Sequence, residues 1–256
     1  MTLIIDQFPC REDNFGVLIH DTESGLTAAI DAPEFDPIKR KLAERGWNLD
    51  QILVTHHHVD HVEAILPLKQ AYGCTVIGPA AEADRIPGID RKVAEGDTLK
   101  FGAYDVTVLD TPGHTLGHIS YYIPAAKVAF VADTLFALGC GRVIEGTFPM
   151  MWASLEKLLA LPDDTVVYCG HEYTKSNARF ALTIEPANSN LIVRAREVDE
   201  LRSADKPTLP TTIGLEKRTN PFLRVDEPAV RDILGMPDAS RAEVFGAIRT
   251  RKDNFK

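Results

Sequence analysis

The chain has 256 residues, of which 45% are apolar and 25% charged. That length and balance build one large domain, or a main domain with a smaller second one, around an ordinary core. The formal net charge of −9 excludes a general attraction to nucleic acid or to an anionic membrane, so an anionic ligand must meet cations gathered locally.

Through about residue 170 the sequence is a series of short apolar, β-branched runs that end at polar, Gly or Pro residues. Runs over 16–20, 27–31, 51–55, 75–78, 104–109, 119–123, 128–132 and 165–169 predict strands. Between them, 36–44, 62–72 and 148–161 predict helices, with Pro67 starting or kinking the second. Alternation of this kind predicts an α/β or layered α+β domain. After His171 the pattern turns helical. Leu191, Ala195, Val198 and Leu201 recur at helical spacing over 188–203, and Pro207 closes that stretch. Ser240 and Glu243 form a capping-box pattern ahead of Val244, Phe245 and Ile248. The change of pattern sets a boundary near 170–175, followed by a small helical domain.

Cys10, Cys74, Cys140 and Cys169 are scattered, without CxxC spacing. This argues against a zinc ribbon, a redox pair or a disulfide scaffold and suits a reducing compartment. The first residues show no basic-then-apolar leader, and no apolar run is long enough for a bilayer; the expectation is a cytoplasmic protein with no membrane partner.

The chemistry-bearing residues sit where strands end. The strand at 51–55 runs into His56, His58, Asp60 and His61; that at 104–109 runs towards His114; those at 128–132 and 165–169 run into Asp133 and His171. Neutral imidazole suits Zn, Fe and Mn, and a carboxylate can bridge two ions. In an extended segment side chains two apart share a side, so His56 and His58 can grip one ion while Asp60 and His61 face another. The alternative is a solvated, His-rich loop. Singly, His114 reads equally as a turn residue and Asp133 as an N-cap. The argument for metal is the ensemble. His57 points away and is read as solvated or supporting, His118 as hydrogen-bonding near the site, Cys169 as a buried, inert thiol, and Asn14 as holding a turn or supporting the site.

These motifs carry a resemblance. Residues 55–61, THHHVDH, resemble the His-x-His-x-Asp-His signature of the metallo-β-lactamase superfamily. TPGHTLGH at 111–118, VADTLF at 131–136 and GHEYT at 170–174 are similar to the later motifs of its glyoxalase II branch, the hydroxyacylglutathione hydrolases. Residues 13–15, 139–146 and 249–255 extend the likeness over nearly the whole chain. The resemblance implies an α+β fold: a four-layered αβ/βα sandwich over 1–172 and a small helical, glutathione-binding domain over 173–256. It implies two divalent metal ions, zinc with Fe or Mn as alternatives. One ion falls to His56, His58 and His114, the other to Asp60, His61 and His171, with Asp133 bridging. It implies glutathione contacts from Tyr173, Arg249 and Lys252, with Arg142 where the family has Lys or Arg. Ile144 departs from an aromatic residue common in the family. Each contact has a plainer alternative: helix-end cations for Arg249 and Lys252, domain packing for Tyr173, surface charge for Arg142.

The implied reaction is hydrolysis of an S-(2-hydroxyacyl)glutathione thioester such as S-lactoylglutathione, in methylglyoxal detoxification, with Asp60 also orienting the attacking oxygen. No long apolar interface stripe stands out in the sequence, so the expectation is a monomer. Two other classes resemble this pattern: a mononuclear-iron oxygenase acting on glutathione persulfide, and a lactone hydrolase. A fold keeping metal only for structure is disfavoured, because structural zinc usually sits in closed Cys-rich sets.

Overall fold

The structure, a computed structural model, describes residues 2–255. Contacts divide the chain into two compact units, one of residues 1–110 and 115–131, the other of 111–114 and 132–256.

The first unit contains two sheets. In one, β1 (Leu3–Cys10), β2 (Asn14–Asp21) and β3 (Thr27–Ile30) are antiparallel; β4 (Gln51–Leu53), β5 (Thr75–Pro79) and β6 (Arg91–Val93) continue from β3 in parallel. The other is an antiparallel run of β7 (Thr98–Phe101), β8 (Tyr104–Asp110), β9 (Ile119–Ile123) and β10 (Val128–Ala132). The alternation along β8 decides its facing: Tyr104, Val106 and Val108 are buried while Asp105 is exposed. The buried Tyr121 on β9 reaches the first sheet and donates its hydroxyl to the Val54 carbonyl at 2.8 Å. Helix α1 (Phe35–Arg45) buries Ile38 and Leu42 against Leu18, Ile52 and Val54, and stops where Gly46 takes a left-handed conformation.

The predicted helix over 62–72 is two helices, α2 (Val59–Val62) and α3 (Ile65–Tyr72). The break has a local cause: Ala32 donates its amide to the His61 carbonyl at 2.8 Å and accepts from the Ala64 amide at 3.0 Å. Backbone groups tied to a neighbouring loop cannot also continue a helix. Pro67 lies in the first turn of α3, where its missing N–H costs nothing.

The second unit holds a short hairpin of β11 (Leu135–Phe136) and β12 (Gly139–Cys140), and an antiparallel pair of β13 (Val166–Cys169) with β14 (Thr211–Thr212). Its helices are α4 (Phe148–Leu159), α5 (Thr174–Ile184), α6 (Ser189–Ser203), α7 (Ile213–Thr219), α8 (Pro228–Leu234) and α9 (Arg241–Asp253). The capping box at α9 forms, with Glu243 N–H donating to Ser240 Oγ and Ser240 N–H donating to the Glu243 carboxylate. Phe180, Phe222 and Phe245 pack successively, tilted and then edge-on, at 5.9 and 6.0 Å to give this unit an aromatic core. All eight predicted strands overlap observed ones; β1, β6, β7 and the short β11, β12 and β14 are additions. Among the described residues no helix is long and apolar enough to cross a membrane.

Candidate active site

In the first unit β4 delivers the extended segment 54–58, and α2 then carries Asp60 and His61. His56 and His61 are buried and His58 half-buried; the His56 ring lies 4.8 Å from that of His58 and 4.1 Å from that of His61. The organising group is Asp31, which follows β3 in a left-handed conformation, φ 58°. Its carboxylate accepts from the Thr55 amide at 2.7 Å, from the Thr55 hydroxyl at 2.8 Å and from His61 Nδ1 at 2.7 Å. The Thr55 hydroxyl has one proton and gives it to Asp31. It must therefore accept from His56 Nδ1, 3.0 Å away. Both imidazoles thus carry their proton on Nδ1, and Nε2 holds the lone pair. Asp60 Oδ2 lies 3.5 Å from His61 Nε2 and accepts from Asn14 Nδ2 at 3.0 Å.

Two further groups steady this segment. Glu82, buried, accepts from the His57 amide at 2.8 Å, pairs with His57 Nδ1 at 2.7 Å and accepts from the Gly117 amide at 2.9 Å. His57 is thus buried in a supporting role. His118, fully buried, stacks on His56 at 4.8 Å.

In the second unit, His114 follows Gly113, whose φ of 143° admits only glycine comfortably. Ser154 Oγ donates to the Pro112 carbonyl at 2.7 Å and the Gly146 amide to the Gly113 carbonyl at 3.1 Å, which fixes that turn. His114 Nδ1 lies 2.8 Å from the Arg142 carbonyl. A carbonyl only accepts, so Nδ1 is again the donor and Nε2 carries the lone pair. Asp133 follows β10, and its Oδ2 lies 3.3 Å from His114 Nε2 and 3.4 Å from His171 Nε2. Gly141 makes room: a Cβ there would stand 1.9 Å from the Asp133 carbonyl oxygen.

The donor set fits divalent metal. Ligating histidines characteristically donate their other N–H to a carboxylate or carbonyl, as His61 does to Asp31 and His114 to Arg142. Asp31, His56 and His61 together offer donor atoms within 4.8 Å of one another, but both Asp31 oxygens are engaged by Thr55 and His61, so Asp31 orients rather than ligates. The sequence reading missed Asp31 and Glu82. Asp31 had a signal, since it ends a predicted strand as the ligand-type residues do.

Beside Asp133 and His114 lies a cavity of about 500 Å³, also lined by Phe136, Tyr173, Arg249 and Lys252. The Tyr173 ring stacks on His171 at 4.7 Å. Arg249 is buried and committed: it donates to the Cys140 carbonyl at 2.9 Å and to Asp253. Lys252 Nζ donates to Ser176 Oγ at 3.0 Å. Burial, and then Arg249, Arg179 and Arg142, hold its ammonium down at a pKa of about 8. Arg142 is exposed. Burial pushes the Cys169 thiol up to about 12, which leaves it inert at neutral pH.

Comparison with known proteins follows the same lines. Residues 16–171 match the family model of the metallo-beta-lactamase superfamily, which fixes the class of fold and site. Residues 172–255 match the hydroxyacylglutathione hydrolase C-terminus. The chain is 58% identical over 253 residues to "Hydroxyacylglutathione hydrolase" of Rhizobium meliloti (strain 1021), covering 99% of each, and 59% identical to that of Brucella anthropi, covering 99% and 97%. The crystal structure of ETHE1 from Myxococcus xanthus superimposes with a TM-score of 0.67 at 26% identity, covering 99% of this chain and 100% of that one. The chain belongs to the hydroxyacylglutathione hydrolase family.

Proposed function

We propose that the chain hydrolyses the thioester of S-(2-hydroxyacyl)glutathione, S-lactoylglutathione in particular, to glutathione and the 2-hydroxy acid, as a step in methylglyoxal detoxification. The observation that carries the proposal is Asp133, whose one oxygen is poised between His114 and His171 beside a cavity to which the part matched to the hydroxyacylglutathione hydrolase C-terminus contributes Tyr173, Arg249 and Lys252. His56, His58 and His114 would hold one divalent ion, and Asp60, His61 and His171 the other, with Asp133 bridging; zinc suits these ligands, as do Fe and Mn.

A bound ion such as zinc would bring the pKa of water down to about 7 and polarise a carbonyl, supplying nucleophile and electrophile together. The residues do the rest. Asp31 and Thr55 keep Nε2 of His61 and His56 deprotonated and aimed. Asp60, itself held by Asn14, orients the attacking oxygen through a carboxylate hydrogen bond. The leaving thiol has a pKa of about 8.5, so it departs as thiolate without a general acid. Lys252 and Arg142 offer charge to the two glutathione carboxylates, with Arg249 shaping the wall between them and Tyr173 packing against the substrate. In this reading 1–172 is the catalytic part and 173–256 the glutathione-binding part, in a monomer. Four buried free thiols, Cys10, Cys74, Cys140 and Cys169, suit a cytoplasmic setting.

The test is hydrolysis of S-lactoylglutathione followed at the thioester absorbance, with metal content measured on the same sample. Turnover with close to two ions per chain supports the reading. A fully metallated chain with no thioesterase activity would overturn it and direct attention to persulfide oxidation with one iron, or to lactones.

A further inference from the structure

The hairpin of β11 and β12 contributes Phe136 and Cys140 to the cavity wall, and its turn is held in an unusual way. Phe136 meets the Tyr173 ring edge-on at 5.4 Å and the His171 ring at 5.9 Å. Leu138, a non-glycine residue, sits in the left-handed region at φ 58°, a conformation that persists only where surroundings impose it. Three buried side chains do so. The Leu138 amide donates to Glu216 Oε2 at 2.9 Å. Asn220 Nδ2 spans the turn, donating to the Phe136 carbonyl at 3.2 Å and the Gly139 carbonyl at 2.9 Å. Asn177 Nδ2 donates to the Ala137 carbonyl at 3.1 Å. Behind them Glu216 is paired with the buried Arg194, which also reaches Thr211 at 2.9 Å. Each of the residues 136–139 therefore has a main-chain group gripped by a side chain from α5, from α7 or from the residue that follows α7.

A buried ion pair contributes little net stability, because desolvation offsets its attraction; its best-attested use is to specify one conformation. The conformation specified here is that of the cavity wall. We propose that Glu216 and Asn220, with Asn177, are positioning residues for substrate: they fix the 136–140 turn, and with it the Phe136 ring and the Cys140 carbonyl that anchors Arg249. This rests on the proposed glutathione thioester reading. It predicts that the clasp governs how the thiol portion is held rather than metal loading.

Asn220→Ala, Asn177→Ala and Glu216→Gln test this in the full-length, metal-loaded chain. Binding of glutathione is measured by calorimetry, with metal content and melting temperature recorded. KM and kcat are measured for S-lactoylglutathione and for a lactoyl thioester of a small thiol without carboxylates. The expected result is roughly tenfold weaker glutathione binding in Asn220→Ala, a similar rise in KM for the glutathione thioester, and little change for the small thioester. Glu216→Gln keeps an acceptor for the Leu138 amide and retains most of the affinity if it folds; Asn177→Ala, which frees one carbonyl, shows a smaller loss. Unchanged glutathione affinity in folded Asn220→Ala, or equal losses on both thioesters, would overturn the clasp. An unmodified chain that binds no glutathione would overturn the functional reading, and this inference with it.

Discussion

Asp31 shows how one side chain can set a site without touching substrate. It satisfies two donors of Thr55 and one of His61, all buried. Replacing it by Ala leaves those donors without an acceptor, at about 1–3 kcal/mol each before relaxation. It also frees both tautomers of His61 and, through Thr55, of His56. Asp31→Ala should therefore lower metal affinity about 10–100-fold, the usual effect of losing a group that orients a ligand. Competition with a chelator checks this, and wild-type affinity would show that His61 is oriented by something else. Lys252 gives a second residue-level prediction. Its ammonium titrates at about 8, below the ordinary value, because it is desolvated and faces three arginines. As pH rises through 8 the folded chain sheds this proton, so KM for an anionic glutathione thioester should rise there and stay flat in Lys252→Met. Stability has the opposite slope. Between about 8 and the ordinary value near 10.5, the unfolded chain holds the proton that the folded chain has lost, so the cost this group imposes on folding shrinks as pH climbs. A KM profile unaffected by the substitution would remove Lys252 from substrate binding.

At the scale of elements, what was legible in the sequence follows from periodicity. Strands such as 104–109 and 119–123 announce themselves by β-branched runs, and each ligand-type residue was found by the rule that it follows a strand. The capping box at Ser240 was legible for the same reason: its hydrogen bonds lie within four residues. Ser240→Ala should cost about 1 kcal/mol. Because α9 carries Arg249 and Lys252 in its final turns, the loss should appear as a lower melting temperature with substrate affinity intact. What was not legible depends on partners distant in sequence. Glu82 lies 25 residues from His57 and 35 from Gly117, and nothing local marks it. Glu216 lies 78 residues from the Leu138 amide that it holds. The split of 62–72 into α2 and α3 was hidden likewise, since Ala32 causes it. Glutathione contacts were expected only by resemblance, and the structure adds that Arg249 is already bound to Cys140 and Asp253, which holds its side chain in the cavity wall.

At the scale of the whole molecule, the family models meet at residues 171 and 172, yet contacts do not thin there. Residues 111–114 and 132–256 form one compact unit that runs straight through the junction. Leu138, on the near side of it, packs with Ala178, Ala181, Leu191, Ala195 and Val198 on the far side. The strand pair β13–β14 and the clasp of Glu216 and Asn220 on the 136–139 turn also cross it. A chain ending at residue 172 would expose that apolar cluster, leave β13 without β14 and release Leu138 from the partner that holds its left-handed backbone. The proposed metal ligands all lie before the cut, at first sight enough for a self-sufficient catalytic fragment. The packing argues otherwise: unsatisfied backbone and newly exposed apolar surface each oppose folding, against a total stability of only about 5–15 kcal/mol. The truncated chain should be insoluble, or should bind a hydrophobic dye and lack a cooperative thermal transition. Adding residues 173–256 as a separate polypeptide should restore neither metal binding nor turnover unless the two pieces assemble. A soluble 1–172 fragment that melts cooperatively and holds two ions would show that residues 173–256 are dispensable for the metal site, and that the clasp and the aromatic core serve only to bind the thiol.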